Sequence, residues 1–343
     1  MQLSKTIITK IYCIIALLGW VSCGPDFDEY TYENTFDYPL DPTSEYLIIM
    51  GDVQEYTYFD KYAPYFMKSV NWIRGMHQKG YKIDCVLQVG DQSSSNERWQ
   101  YRVFYDYTKY MAEDVLFVPV TGNHDYDWKD GNQIYDRSSS LLNQYSNFPK
   151  TKENIVASFE MGRMDNIIVR NQIKGQDFYI IALEFAPRPE AVDWARNYVE
   201  NNQEKKFIVL THEYLNSEGY RENTANSYAR KHFGERPNSS PEEIWENLVY
   251  PNDNVRAVIC GHNSFSLFST SKNCEGREIP QMLFNVQYLE NGGDGLIQLW
   301  EIPTEGDSID VRIINTIRNK QIDRNYHTPL CDNEIVSYKI SIF

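Results

Sequence analysis

The feature that most constrains this chain is a series of short apolar runs that each end on a polar turn. Residues 47–50, 86–89, 115–119, 207–210 and 255–260 are dominated by Val, Ile, Leu and Phe and are apolar on both faces. Strands of that kind are covered above and below, so the sheet they form must lie between other layers. Helical spacing fills the gaps, through Tyr65, Phe66, Val70, Trp72 and Ile73 over 60–79 and again over 97–113. A further run at 178–183 is followed by a helix starting near Pro189. This alternation predicts βαβ units. After Ile279 the runs 282–286, 295–301 and 309–316 are joined by Gly and Asn and predict an antiparallel meander. Two sheets with helices outside, in one domain over 46–320 with 321–343 as a tail or edge strand, is the economical solution.

Ligands of open α/β sheets sit at the carboxyl ends of the strands. There the sequence places Gly51-Asp52-Val53-Gln54, Gly90-Asp91, Gly122-Asn123-His124-Asp125, Thr211-His212 and Gly261-His262. Each alone reads as a turn or an ordinary histidine, as His77, His232 and His327 do. Jointly they form a set of oxygen and nitrogen donors from separate loops with no Cys among them. That set suits Mn, Fe, Zn or Mg rather than a thiolate site.

The order Asp-x-Gln, Gly-Asp, Gly-Asn-His-Asp, Thr-His, Gly-His over about residues 46–316 resembles that of the calcineurin-like metallophosphoesterases. The resemblance implies a four-layer α/β/β/α sandwich and a centre of two divalent metal ions that hydrolyses phosphomonoesters or phosphodiesters. It implies that Asp91 bridges the metals, that Asn123, His212 and His262 complete one position, and that Asp52 and Gln54 serve the other. His124 would stand just outside as general acid for the leaving oxygen, or as a hydrogen-bond donor to the phosphate. Such metals, about 3.5–4 Å apart, polarise phosphoryl oxygens and make hydroxide available near neutral pH. The segments around Trp99, 183–188, and Asn285-Val286-Gln287-Tyr288 with Gly292-Gly293 are similar to a secreted bacterial subgroup. They read as packing and edge features rather than chemistry.

Three positions depart from the family pattern. Gln54 stands where a His ligand is usual, and Ser264 where Gly-His-x-His would supply a second His. Both fall on one metal position, which keeps Asp52, Asp91 and the Gln54 carbonyl. An all-oxygen set prefers a hard cation such as Mg²⁺, Mn²⁺ or Ca²⁺ and binds it more weakly. Ser94 replaces the acidic residue that orients the catalytic His, leaving Asn96, Asp125 or Asp127 to take that part. The alternative reading is a catalytically impaired surface lipoprotein of the same fold that binds a phosphorylated or glycan ligand.

The N-terminus sets the compartment. Lys5 and Lys10 precede an apolar run over 11–21, about half of the roughly 20 residues that span a bilayer, so 1–22 reads as a signal peptide. Val21-Ser22-Cys23 resembles the end of a bacterial lipobox, although Trp20 stands where Leu is usual; the alternative is a plain secretory signal. Lipidation at Cys23 would anchor an exported protein to the cell envelope, with 23–45 as lipidated Cys and tether. The acidic stretch 26–29 resembles signals that carry bacterial lipoproteins to the cell surface. A formal charge of −15 argues against a nucleic-acid partner. It also leaves positive potential for a phosphate-ester substrate to be supplied locally, by metal ions. Cys85 and Cys260, inside apolar runs, read as buried thiols, while Cys274 and Cys331 lie in polar stretches and are candidates to pair.

Two regions beside the motifs bear on substrate. A polar insertion between His212 and Glu242 carries Arg221, Arg230, Lys231 and Arg236 and reads as a specificity loop or a solvated excursion. Tyr56, Tyr58, Tyr126 and Trp128 follow the metal-bearing residues and read as an aromatic rim or as packing.

Overall fold

The computed structural model describes residues 40–129, 134–223, 233, 237–263, 265–322 and 337–343. Its strands are β1 (Glu45–Met50), β2 (Lys82–Gln88), β3 (Phe117–Pro119), β4 (Asp127–Lys129), β5 (Ile134–Asp136), β6 (Ile155–Ser158), β7 (Ile167–Ile173) and β8 (Gln176–Ala182). They continue with β9 (Lys206–Leu210), β10 (Val255–Cys260), β11 (Phe265–Lys272), β12 (Glu278–Asn285), β13 (Leu296–Ile302), β14 (Ile309–Asn315), β15 (Lys320–Gln321) and β16 (Ser337–Ile340). The helices are α1 (Gln54–Tyr58), α2 (Ala63–Gln78), α3 (Arg98–Asp114), α4 (Leu142–Tyr145), α5 (Pro149–Asn154), α6 (Pro189–Glu200) and α7 (Pro241–Ile244), the last continued by a π-helical turn over Trp245–Val249.

Two large sheets result. The first runs β15-β14-β13-β1-β2-β3, with β16 also on β14; β1, β2 and β3 are parallel. The second runs β11-β12-β10-β9-β8-β7-β6, with β12, β10, β9 and β8 parallel. Their inner faces meet in one core: Leu47, Ile49 and Leu87 of the first sheet cluster with Ile180, Ile208, Leu210, Ile259 and Phe284 of the second. Helices cover the outer faces. Val192, Ala195 and Val199 of α6 pack with Leu248 on Ile181, Val209 and Val258. On the other side Phe66 of α2 stacks on Phe104 of α3, which meets Phe117 of β3. The order helix, sheet, sheet, helix is the expected four-layer sandwich, and it explains why every residue of β1 is buried.

The helices follow local chemistry. Pro64 and Pro189 occupy first-turn positions of α2 and α6, where a missing N–H costs no hydrogen bond. Ser240 accepts from the Glu243 N–H, and the Glu243 side chain accepts in return from Ser240, forming a capping box for α7.

The expected meander after Ile279 is corrected. β13 and β14 are antiparallel neighbours, but β12 lies in the other sheet, parallel to β10. It is drawn there by β11, with which it pairs from Phe265↔Asn285 to Lys272↔Glu278. β11 reads FSLFSTSK, too polar to signal a strand on its own. Strands β6 and β7 were also absent from the sequence reading. Residues 323–336, including Cys331, and residues 1–39, including Cys23, lie outside the described residues; β16 and buried Ile342 close the C-terminus onto the first sheet.

Candidate metal centre

Every motif residue stands at the carboxyl end of a parallel strand: Asp52 after β1, Asp91 after β2, Asn123 and His124 after β3, His212 after β9, His262 after β10. The two sheets thus deliver their loops to one place. Asp52, Asp91 and His212 are all buried and present ligand atoms within 4.8 Å of one another.

The close approach depends on glycine. A Cβ on Gly122 would lie 2.1 Å from Asp91 Oδ1, and one on Gly261 would lie 2.5 Å from Asp52 Oδ1. Side chains at either position would fill the cradle.

Three candidate ligand atoms converge. The His212 Nδ1–H donates to the Val89 carbonyl at 2.7 Å, and a carbonyl only accepts, so the tautomer is fixed and Nε2 points inward. That Nε2 lies 3.0 Å from Asn123 Oδ1 and 3.2 Å from His262 Nδ1, which is itself 2.9 Å from Asn123 Oδ1. Asp91 Oδ2 is 3.5 Å from the same Nε2. Atoms crowded this closely leave a place where one cation could meet them all, and two imidazoles, an amide oxygen and a carboxylate suit a transition metal.

The charges agree. Burial pushes the Asp52 carboxyl well above the usual carboxylate range, against the pull of His212. Burial acts the same way on Asp91, but the charges of His212 and His124 outweigh it and hold that carboxyl at about 2. Burial would lower the His212 imidazole, yet the Asp91 and Asp52 carboxylates push it up to about 10. The two carboxylates thus favour positive charge on this side of the pocket.

Gln54 is buried and its carbonyl Oε1 has no hydrogen-bond partner among the described residues. An orphaned acceptor of that kind fits the oxygen-rich ligand set. Ser264 lies outside the described residues. Asp52 is gripped from a segment taken from sequence for packing: Asn285 Nδ2 donates to Asp52 Oδ2 at 2.7 Å and Gln287 Nε2 donates to the same oxygen at 3.1 Å. That reading is corrected. Asn285 ends β12 and Gln287 follows it, so the strand-end rule that found the motif residues could have found them too.

His124 sits at the edge, half-buried, its backbone N–H donating to Asp91 Oδ1 at 2.9 Å. Its Nδ1–H donates to the Ser94 carbonyl at 2.8 Å. The orienting group is thus the backbone of Ser94, and Asn96, Asp125 and Asp127 are otherwise engaged. Asn96 donates to Asp127 Oδ1 at 2.9 Å, and the Asp125 carboxylate accepts from the backbone N–H groups of Gln92, Ser93 and Gly122. Gln100 holds the loop, its Oε1 accepting from the Ser94 and Ser95 N–H groups at 3.0 Å. Glu55 is a further residue missed from sequence: burial raises its carboxyl, and the charges of His124 and Lys61 partly offset that.

The surroundings are less open than the sequence implied. Tyr56 and Tyr126 are buried, Tyr56 stacked on Phe66 and accepting the Gly295 N–H, so they pack rather than form a rim. Tyr58 is exposed, near Trp99, whereas the side chain of Trp128 lies outside the described residues. Arg221 is an anchor: it pairs with Glu242, donates to Ser271 and Gln281, and lies 4.4 Å over the Trp245 ring. Arg230, Lys231 and Arg236 lie outside the described residues. Cys85 and Cys260 are buried free thiols, and Cys274 is exposed and free.

Comparison with known proteins bears on this geometry. Over 289 residues the chain is 24% identical to the uncharacterized protein YvnB of Bacillus subtilis (strain 168), a match that covers 81% of this chain and 20% of the relative. It is similar to a purple acid phosphatase, PPD1, from yellow lupin (Lupinus luteus) seeds at 14% identity and TM-score 0.48, covering 89% of this chain and 55% of that one. It is similar to a 5'-nucleotidase precursor from Thermus thermophilus at 14% identity and TM-score 0.42, covering 82% and 53%. The chain thus spans a fifth of the curated relative's length. The model of the calcineurin-like phosphoesterase family matches residues 45–263, which include every candidate ligand described above, while Asn285 and Gln287 lie beyond it. With most of its length matched, the chain belongs to the calcineurin-like phosphoesterase family.

Proposed function

We propose that the protein is a metal-dependent hydrolase of phosphate esters that works outside the cytoplasm, held to the cell envelope by a lipid on Cys23. The observation that carries the hydrolase reading is the convergence of Asn123 Oδ1, His212 Nε2 and His262 Nδ1 within 3.2 Å of one another, beside Asp91. Two divalent cations bound there would supply Lewis acidity at the phosphoryl group and a nucleophile from water. The chain's own residues do the rest. Asp91 fixes the backbone of His124, and the Ser94 carbonyl fixes its Nδ1–H, which aims Nε2 outward; when the ring is in its doubly protonated form, that nitrogen can give its proton to the departing oxygen. The Val89 carbonyl keeps His212 in the tautomer that offers Nε2 to the site.

The test is turnover of a chromogenic phosphomonoester and a phosphodiester with Mn²⁺, Mg²⁺, Zn²⁺ and Ca²⁺ in turn. Hydrolysis with at least one metal supports the reading. No turnover under any metal, with binding of a phosphorylated or glycan ligand intact, leaves a binding lipoprotein instead. The anchor rests on the sequence alone, on the short apolar run and on Val21-Ser22-Cys23. Cys23→Ser should move the protein from the membrane fraction to the soluble one; a variant that stays membrane-bound contradicts the anchor.

A further inference from the structure

The oxygen-rich half of the centre is short of ligands. Gln54 replaces an imidazole, and the donors left to that half are Asp52, the shared Asp91 and one amide oxygen. Beside Asp52 lies a second amide that motif reading does not assign. Gln287 is 4% exposed, its Nε2 lies 3.1 Å from Asp52 Oδ2, and its buried Oε1 has no hydrogen-bond partner among the described residues. The two ends of a carboxamide are only about 2.2 Å apart, given its C=O and C–N bond lengths. The orphaned oxygen is therefore no more than roughly 5 Å from the Asp52 carboxylate. Gln54 Oε1, on the helix that follows Asp52, is the other orphaned amide oxygen of the site.

A buried carbonyl without a donor loses its hydration for nothing in return. An unpartnered carbonyl beside a buried carboxylate, with a second one two residues along the chain from that carboxylate, is explained by a hard cation, which takes amide and carboxylate oxygens at once. Gln287 is also held in place: its backbone N–H donates to Asn285 Oδ1 at 3.0 Å, and Asn285 Nδ2 spans Asp52 Oδ2 and the His262 carbonyl. We infer that Gln287 is a ligand of the oxygen-rich metal position, offering its carboxamide oxygen where the family pattern would have imidazole. The assignment rests on the metal-centre reading above and deepens it.

A plain positioning role is the competing account, in which Gln287 acts only by donating its Nε2–H to Asp52. The two separate on charge. Gln287→Glu keeps an oxygen, adds a negative charge and removes the donor. Binding of Mn²⁺ to the full chain, followed by equilibrium dialysis with metal analysis, reads the weaker site directly. If Gln287 is a ligand, Gln287→Glu tightens that site by about tenfold or more and Gln287→Ala weakens it by about 10–100-fold, the range seen for groups around a metal. The metal held by His212 and His262 should be unchanged in both. A weaker second site in Gln287→Glu, or an unaltered one in Gln287→Ala, overturns the assignment. Melting temperature in chelator checks that neither variant simply unfolds, and the tightening expected for Gln287→Glu cannot come from unfolding. A wild-type chain that binds one Mn²⁺ at the imidazole half, and no second, overturns the assignment alone. One that binds no metal overturns the metal-centre reading with it.

Discussion

The imidazole half of the centre and the oxygen half are built from the same kind of loop yet differ in how their donors are satisfied. Around His212 the donors crowd one another, with three ligand atoms separated by 2.9, 3.0 and 3.2 Å. Around Asp52 the carboxylate is already gripped by Asn285 and Gln287, while the carbonyls of Gln54 and Gln287 remain unpartnered among the described residues. The first arrangement has the donor types that suit a transition metal. The second is a looser basket of oxygens, suited to a hard cation that exchanges. On the proposed reading, the difference teaches that amides elsewhere can stand in where a motif ligand is lost.

The comparison breaks most severely where both halves depend on one residue. Gly122→Ala would place a Cβ 2.1 Å from Asp91 Oδ1 and 2.3 Å from the Asp91 amide. Backbone cannot yield as a side-chain tip can, so Asp91 must move. We expect metal content to fall to background in both halves and turnover to vanish, measured by metal analysis and phosphoester hydrolysis. Retained metals would contradict the cradle.

Next in size is the acid. His124→Ala should leave both metals bound and slow turnover by about 10²–10⁴. An unchanged rate would remove His124 from the chemistry. His262→Ala should instead empty the imidazole half while the oxygen half keeps its weak affinity for Mg²⁺. Loss of both together would show that the halves are not separable.

How much of this was legible depends on where the signal is carried. The central strands were readable because both faces are buried, which leaves unbroken apolar runs such as 47–50 and 257–260. β11 was not, because its far half faces water and reads as Ser, Thr and Lys, and without it β12 was assigned to the wrong sheet. The site follows the same rule. Asp, Asn and His just after Gly or Thr at strand ends stand out, so the residues that the structure brings together around His212 could be picked out in advance. The support of His124 is a backbone carbonyl, at Ser94, which no side chain reports. Asn285 and Gln287 carry ordinary amides whose meaning appears only when β12 is placed beside β10.

Two smaller effects sharpen the contrast. Gln54→His should tighten the oxygen half and move its preference towards Zn²⁺, because a borderline imidazole replaces a hard oxygen. A metal-competition titration checks it, and an unchanged preference would mean that Gln54 faces away from the metal. Gln100→Ala should free the Ser94 loop, with metal content unchanged and turnover lower by about fivefold, as expected for hydrogen bonds worth about 1 kcal/mol. A loss equal to that of His124→Ala would mean that the loop holds more than the ring.

The central claim is an asymmetric two-metal centre, and metal stoichiometry of the wild-type protein tests it most directly. After exhaustive dialysis the chain should keep one metal, bound through Asn123, His212 and His262. The second should return, with turnover, on addition of millimolar Mn²⁺ or Mg²⁺. Two metals retained with equal affinity, or none at all, would contradict the account.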